Sequence, residues 1–159
     1  MKALIIVDMQ YDFVHPNGAL PVPEAMNIVG PLQEYAAAFD GFVVLTGDWH
    51  PETHISFRER GGPWPRHCVA FSQGAQFQAG LNCMRRTNAW PVVYKGTKSE
   101  TEEYSGFANP QLDSMLKLRG VQEIELCGVA RNYCVQATKA EAIDLGYEAT
   151  VLEHLCRSV

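Results

Sequence analysis

Ala3-Leu4-Ile5-Ile6-Val7 places five apolar side chains in a row with no polar alternation. A strand wetted on one face alternates, whereas a strand buried on both faces does not. The run therefore reads as a central parallel strand, and its burial on both sides requires covering elements on both sides. Four later stretches carry the strand signal: Phe42 to Thr46, Pro91 to Tyr94, Val121 to Cys127 and Glu148 to Leu152. Helical patterns lie between them. One runs from about Pro23 to Phe39, with Met26, Val29, Leu32, Tyr35 and Ala36 on one face. Another runs from about Pro110 to Leu118 and ends at Gly120. A third starts near Cys134, with Asn132 as its expected N-cap and Gly146 as its stop. Residues 70 to 90 are weakly patterned, with a short helix expected within Gln73 to Gln78 and a solvated turn at Arg85-Arg86. Strands alternating with helices predict an α/β fold, a mostly parallel open sheet with helices on both faces in three Rossmann-like layers. At 159 residues the chain is expected to form one domain, residues 1–159.

Net charge is −5, which gives no reason to expect nucleic acid or an acidic membrane as partner. The five cysteines are odd in number and widely spaced, with no Cys-x-x-Cys pair. Such a set suits reduced thiols in a cytoplasm better than a disulfide framework. The apolar run of MKALIIVDMQ is too short for a signal peptide, and no run is long enough to span a membrane. The expected location is cytoplasmic.

The chemistry collects just beyond the strands. Asp8 ends the first one, where open α/β sheets place their ligands, although an acid there can also cap a turn. Asp48 and His50 lie two apart, so on an extended segment both face one side. A carboxylate with an imidazole suits zinc, iron or manganese. His67, in a loop stiffened by prolines on both sides of Trp64, is the first candidate for a third ligand. His54 is its rival, as a ligand or as a residue that orients one. Cys68 reads as an inert core thiol. Lys95 follows the third strand, as a solvated end or as part of the site, and Tyr104 stands in a loop as core or pocket wall. Cys134 is expected in the first turn of a helix directly after a strand. There unpaired N–H groups and the helix dipole lower a thiol's pKa and can hold an oxyanion; the plainer reading is a buried structural cysteine. Asp8, Asp48, His50, Lys95 and Cys134 together predict one cluster at the sheet edge where strand order reverses.

A thiol, a carboxylate and a lysine make a workable amidase triad. The blocks VDMQYDF, GDWHPETHISF, GPWPRHCV, YKGT, EYSGF and CGVARNYCV, in that order, resemble the nicotinamidase (pyrazinamidase) branch of the isochorismatase-like cysteine hydrolases. That resemblance implies a metal-dependent amidohydrolase that deamidates nicotinamide or pyrazinamide through a cysteine thioester. It implies Asp8, Lys95 and Cys134 as the catalytic triad, and the Ala130 and Cys134 N–H groups as the oxyanion hole. Asp48, His50 and His67 are implied as ligands of one divalent metal, zinc first and iron or manganese as alternatives, with His54 near them. Phe13, Trp64, Tyr104 and Val129 are implied around the substrate, and the Val129–Ala130 peptide is implied to be cis.

Two departures accompany the resemblance. Asn132 stands where many relatives have Asp, so a negative charge is expected to be missing beside the thiol. Family chains also continue past this point through another helix and a short strand, so the expectation is either a native chain longer than these 159 residues or a neighbour, as in a homo-oligomer, covering one face of the sheet. Two rival readings stand beside the amidase. One is a carbamoyl-amide hydrolase of the N-carbamoylsarcosine amidase type, which needs the triad but not the metal. The other is a non-catalytic metal- or thiol-binding protein.

Overall fold

The computed structural model describes residues 1–159, all of the chain. Five strands form one sheet: β1 (Lys2–Val7), β2 (Phe42–Asp48), β3 (Val92–Lys95), β4 (Glu123–Val129) and β5 (Glu148–Arg157). Their order is β3-β2-β1-β4-β5, and every pairing is parallel. Strand order thus reverses between β1 and β4, where a crevice opens beyond the carboxyl ends.

The apolar run of β1 divides as a two-faced strand must. Leu4 and Ile6 enter one core with Ile28, Val29 and Leu32 of helix α2 (Met26–Ala38) and Leu81 of helix α3 (Ala79–Thr87). Ala3, Ile5 and Val7 enter the other, with Leu112 and Leu116 of helix α4 (Gln111–Leu118) and Ala142 of helix α5 (Gln136–Asp144). Helices cover both faces, as the unalternating run requires.

Several boundaries differ from expectation. Helix α2 starts at Met26 rather than Pro23, because Glu24 has φ 60°, which a right-handed helix does not admit. A single turn, α1 (Tyr11–Val14), follows β1 where a loop was expected. The expected turn at Arg85-Arg86 is the last turn of α3, and Gln73–Ala75 forms only a 3₁₀ turn. The Gln78 side chain caps α3 by accepting from the Leu81 N–H, and Leu81 is the helix's one buried residue. A single anchor gives no legible 3.6-residue period, and glutamine is not among the usual caps.

The last strand runs on to Arg157 because its pairing with β4 shifts, from Leu126↔Val151 to Gly128↔Cys156. Gly128 makes the close approach of β4 to β1 possible: φ is 112°, and a Cβ would lie 2.2 Å from the Val7 carbonyl oxygen. At the outer end of the sheet, Ile143 and Leu145 beside β5 stay exposed. No helix is long and apolar enough to cross a membrane.

Candidate active site

Parallel strands bring their carboxyl ends to one edge, and the predicted residues converge there. Register pairs Asp48 with Lys95 on adjacent strands, so both side chains leave the sheet on one face. Lys95 is 1% exposed, and its Nζ lies 2.9 Å from Asp8 Oδ2, 2.5 Å from Asp48 Oδ1 and 3.4 Å from Cys134 Sγ. Burial opposes the lysine's charge, but Asp48 and Asp8 outweigh it and hold the pKa well above its ordinary value. Asp8 Oδ1 accepts from the Thr46 hydroxyl at 2.8 Å. Its Oδ2, fully buried, has no directed hydrogen bond, so the 2.9 Å approach of Lys95 is ionic and off axis. Burial pushes the Asp8 carboxyl up.

Cys134 departs from expectation in two ways. Residues Arg131–Val135 wind as a π-turn ahead of α5, with Ala130 at the cap position, so the cysteine is not in the first turn of an α-helix. Burial also pushes the thiol well above its ordinary pKa, although Lys95 pulls the other way. Desolvation therefore governs the resting thiol. Asn132 caps nothing. Its Nδ2 donates to the Val159 carbonyl at 3.0 Å and its Oδ1 accepts from the Val159 N–H at 3.1 Å.

Asp48, His50 and His67 are all buried, and one ligand atom from each lies within 4.8 Å of the others. Each histidine has its Nδ1 against a backbone carbonyl, His50 on Gly96 and His67 on Pro65, both at 2.7 Å. That arrangement leaves both Nε2 lone pairs aimed at Asp48 Oδ2, at 3.4 and 3.9 Å. Two neutral imidazoles and a carboxylate held this way fit a divalent metal. The Lys95 ammonium holds Asp48 ionised against burial. His54 is not in the cluster. Its ring nitrogens are taken by Ser56 Oγ at 2.7 Å and the Thr101 carbonyl at 3.0 Å, and its ring stacks on His50 at 3.9 Å. Burial lowers its pKa to about 4.

A cleft of about 400 Å³, its open mouth included, stands over Cys134. Phe13, Trp64, Tyr104, Ala130, Asp48 and His67 line it. Trp64 Nε1 donates to Tyr104 Oη at 3.1 Å, which fixes two of the rings. Val129 does not line it: at the end of β4 its side chain is fully buried in the core beneath. The Val129–Ala130 peptide is cis.

Sequence reasoning missed several participants. Tyr133 lines the cleft edge-on to Trp64 at 5.0 Å, and an aromatic one position before a cysteine carried no signal of its own. Gln10 accepts from the Asp48 N–H at 2.8 Å and donates to the Asp48 carbonyl at 2.7 Å. Asp12 accepts from the N–H groups of Cys68 and Ala19, tying the His67 loop to α1. Phe57 touches all three histidine rings at 5.5 to 5.7 Å. The dense polar run of VDMQYDF was the available hint for Gln10 and Asp12.

Comparison with known proteins gives a consistent picture. Residues 2–159 match the Isochorismatase domain. A nicotinamidase of Saccharomyces cerevisiae is 32% identical, the match covering all of this chain and 89% of that protein. A pyrazinamidase of Pyrococcus horikoshii, solved in complex with zinc, superposes with TM-score 0.92 at 45% identity, over 99% of this chain and 87% of that one. PnC1 of L. infantum, solved with nicotinate, superposes with TM-score 0.92 at 36% identity, over 99% and 81%.

Proposed function

The chain belongs to the isochorismatase family, and from that membership we propose that it hydrolyses nicotinamide to nicotinic acid and ammonia through a thioester on Cys134. The nicotinamidase of S. cerevisiae and the pyrazinamidase of P. horikoshii support the substrate class. One observation carries the reading. A single buried ammonium, Lys95, touches a carboxylate, a thiol and the acid of a three-residue candidate metal cluster, beneath an aromatic cleft that the thiol and that acid line.

In this reading Asp8 Oδ2 takes the Cys134 proton, having a buried lone pair with no other directed partner. The thiolate attacks the carboxamide carbon, a C–S bond forms, and the carbonyl electron pair moves to oxygen. The Ala130 and Cys134 N–H groups receive that oxyanion. Asp8 returns the proton to nitrogen as the C–N bond breaks and ammonia leaves. Water then gives a proton to Asp8 and adds to the thioester carbon; the C–S bond breaks and the thiol regains its proton. Lys95 stays charged throughout and stabilises whichever of Asp8 and Cys134 is anionic. Asp48, His50 and His67 would hold the divalent metal, zinc in our proposal, whose chemistry when bound is that of a Lewis acid for a pyridine nitrogen. Phe13, Trp64, Tyr104 and Tyr133 enclose a flat ring.

Ammonia release from nicotinamide tests the proposal, with Cys134→Ala as control. The parent should turn over, and the variant should bind nicotinamide but release no ammonia. Faster turnover of an aliphatic carbamoyl amide than of nicotinamide would overturn the substrate assignment.

A further inference from the structure

Gly96 links two parts of the site. Its carbonyl accepts from His50 Nδ1–H at 2.7 Å, and its own N–H donates to Glu103 Oε2 at 2.7 Å. The glycine follows Lys95 directly and sits at φ 62°, where other residues are strained. Its backbone presses on the imidazole: a Cβ there would lie 2.4 Å from His50 Cε1. The carbonyl that sets the tautomer and plane of His50 thus belongs to a residue with no side chain to hold it. What holds it is the Glu103 carboxylate, from the loop seven residues on.

We propose that Glu103 is a positioning residue for the metal centre, acting through the Gly96 backbone to orient His50. The inference rests on the reading of Asp48, His50 and His67 as metal ligands. A histidine ligand donates its far nitrogen to a fixed acceptor, and removing such outer partners typically weakens metal binding by about 10–100-fold. Here the chain has one more link than usual, because the acceptor is itself a mobile type of residue pinned by a charge-assisted bond.

The test is zinc affinity of chelator-stripped protein, measured by competition with a chromophoric chelator and without nicotinamide. Glu103→Ala should bind zinc about 10–100-fold more weakly than the parent. Glu103→Gln, which keeps an acceptor oxygen at the same reach, should stay within about threefold of the parent. Glu103→Asp keeps the charge but is one methylene too short, and should weaken binding like Ala. If Ala fails to fold, the Gln and Asp pair decides alone. Parent-like affinity in Glu103→Asp, or a loss in Gln equal to that in Asp, would overturn the proposal, since the directed bond would then not matter. Because the readout is metal binding, it stands or falls separately from nicotinamide turnover. A parent protein that binds zinc but releases no ammonia would sink the proposed substrate and leave this inference intact.

Discussion

Cys134 keeps its proton at rest, because burial raises the thiol further than Lys95 lowers it. A nucleophile of that kind depends on a base, and of the two carboxylates on the same ammonium Asp8 is the one outside the Asp48, His50 and His67 cluster. Asp8→Asn should lower kcat by about 10²–10⁴-fold. The Asp8, Cys134 double variant should be no worse than Cys134→Ala, since residues acting as one unit are not additive. An Asn variant keeping more than about a tenth of the activity would make Asp8 structural. The pH profile gives a second check. The base acts only when deprotonated, and burial raises its pKa above the ordinary 3.8. As pH falls through that raised value the carboxylate is protonated, so kcat/KM should drop at a pH above the usual aspartate range. An acid limb at the ordinary value would mean that Asp8 is solvated in the working enzyme.

The element that carries the nucleophile is a π-turn, and its geometry is held from outside. Thr138, fully buried in the first turn of α5, donates its hydroxyl to the Cys134 carbonyl at 2.7 Å and accepts from the Gly106 N–H at 3.0 Å. It thereby fastens the cysteine turn to the Tyr104–Phe107 loop, and through it to the wall of the cleft. Thr138→Val fills the same volume but leaves the Gly106 N–H buried without a partner, which should cost about 1–3 kcal/mol. The variant's turnover should fall while its zinc affinity holds, because the threonine touches the nucleophile's element and not the ligands'. Denaturant titration beside an ammonia assay measures both. Unchanged stability would show that the Gly106 N–H finds another partner.

At the scale of the whole molecule, the metal cluster ties distant segments. Asp48 ends β2, His50 follows it, and His67 comes from a loop fastened to α1 through Asp12. A ligand of the native state alone stabilises by about 2.7 kcal/mol at a hundred times its dissociation constant. For a chain of this size that corresponds to about 5–11 °C in Tm. Stripping the metal should lower Tm by about that amount, with recovery on adding zinc back, read by scanning calorimetry. His50→Ala should have the lower Tm already and show no response to zinc. A parent protein whose Tm ignores chelation would place the metal elsewhere or nowhere.

The layers of the fold and the edge where chemistry gathers were legible in the residues alone. The unalternating run Ala3–Val7 can be buried on both faces only as a central parallel strand, the helical patterns between the five strand stretches supply the cover, and such a sheet aligns its carboxyl ends. Hence Asp8, Asp48, His50, Lys95 and Cys134 were legible as one cluster from their positions after strands. His67 was the first candidate for a third ligand and His54 its rival, both on loops, and the tertiary structure brings His67 and not His54 into the cluster with Asp48 and His50. The Pro65 carbonyl, next but one to His67, takes that ring's Nδ1 and leaves its Nε2 free, whereas the Thr101 carbonyl, far along the chain from His54, occupies the Nε2 of that ring. Burial likewise decided the state of the thiol: a helix start is a local feature, whereas desolvation depends on everything packed around Sγ. The polar residues Gln10, Asp12, Thr138 and Glu103 stayed unread for the same reason, since their partners are backbone groups and a backbone N–H or C=O leaves no mark in a sequence.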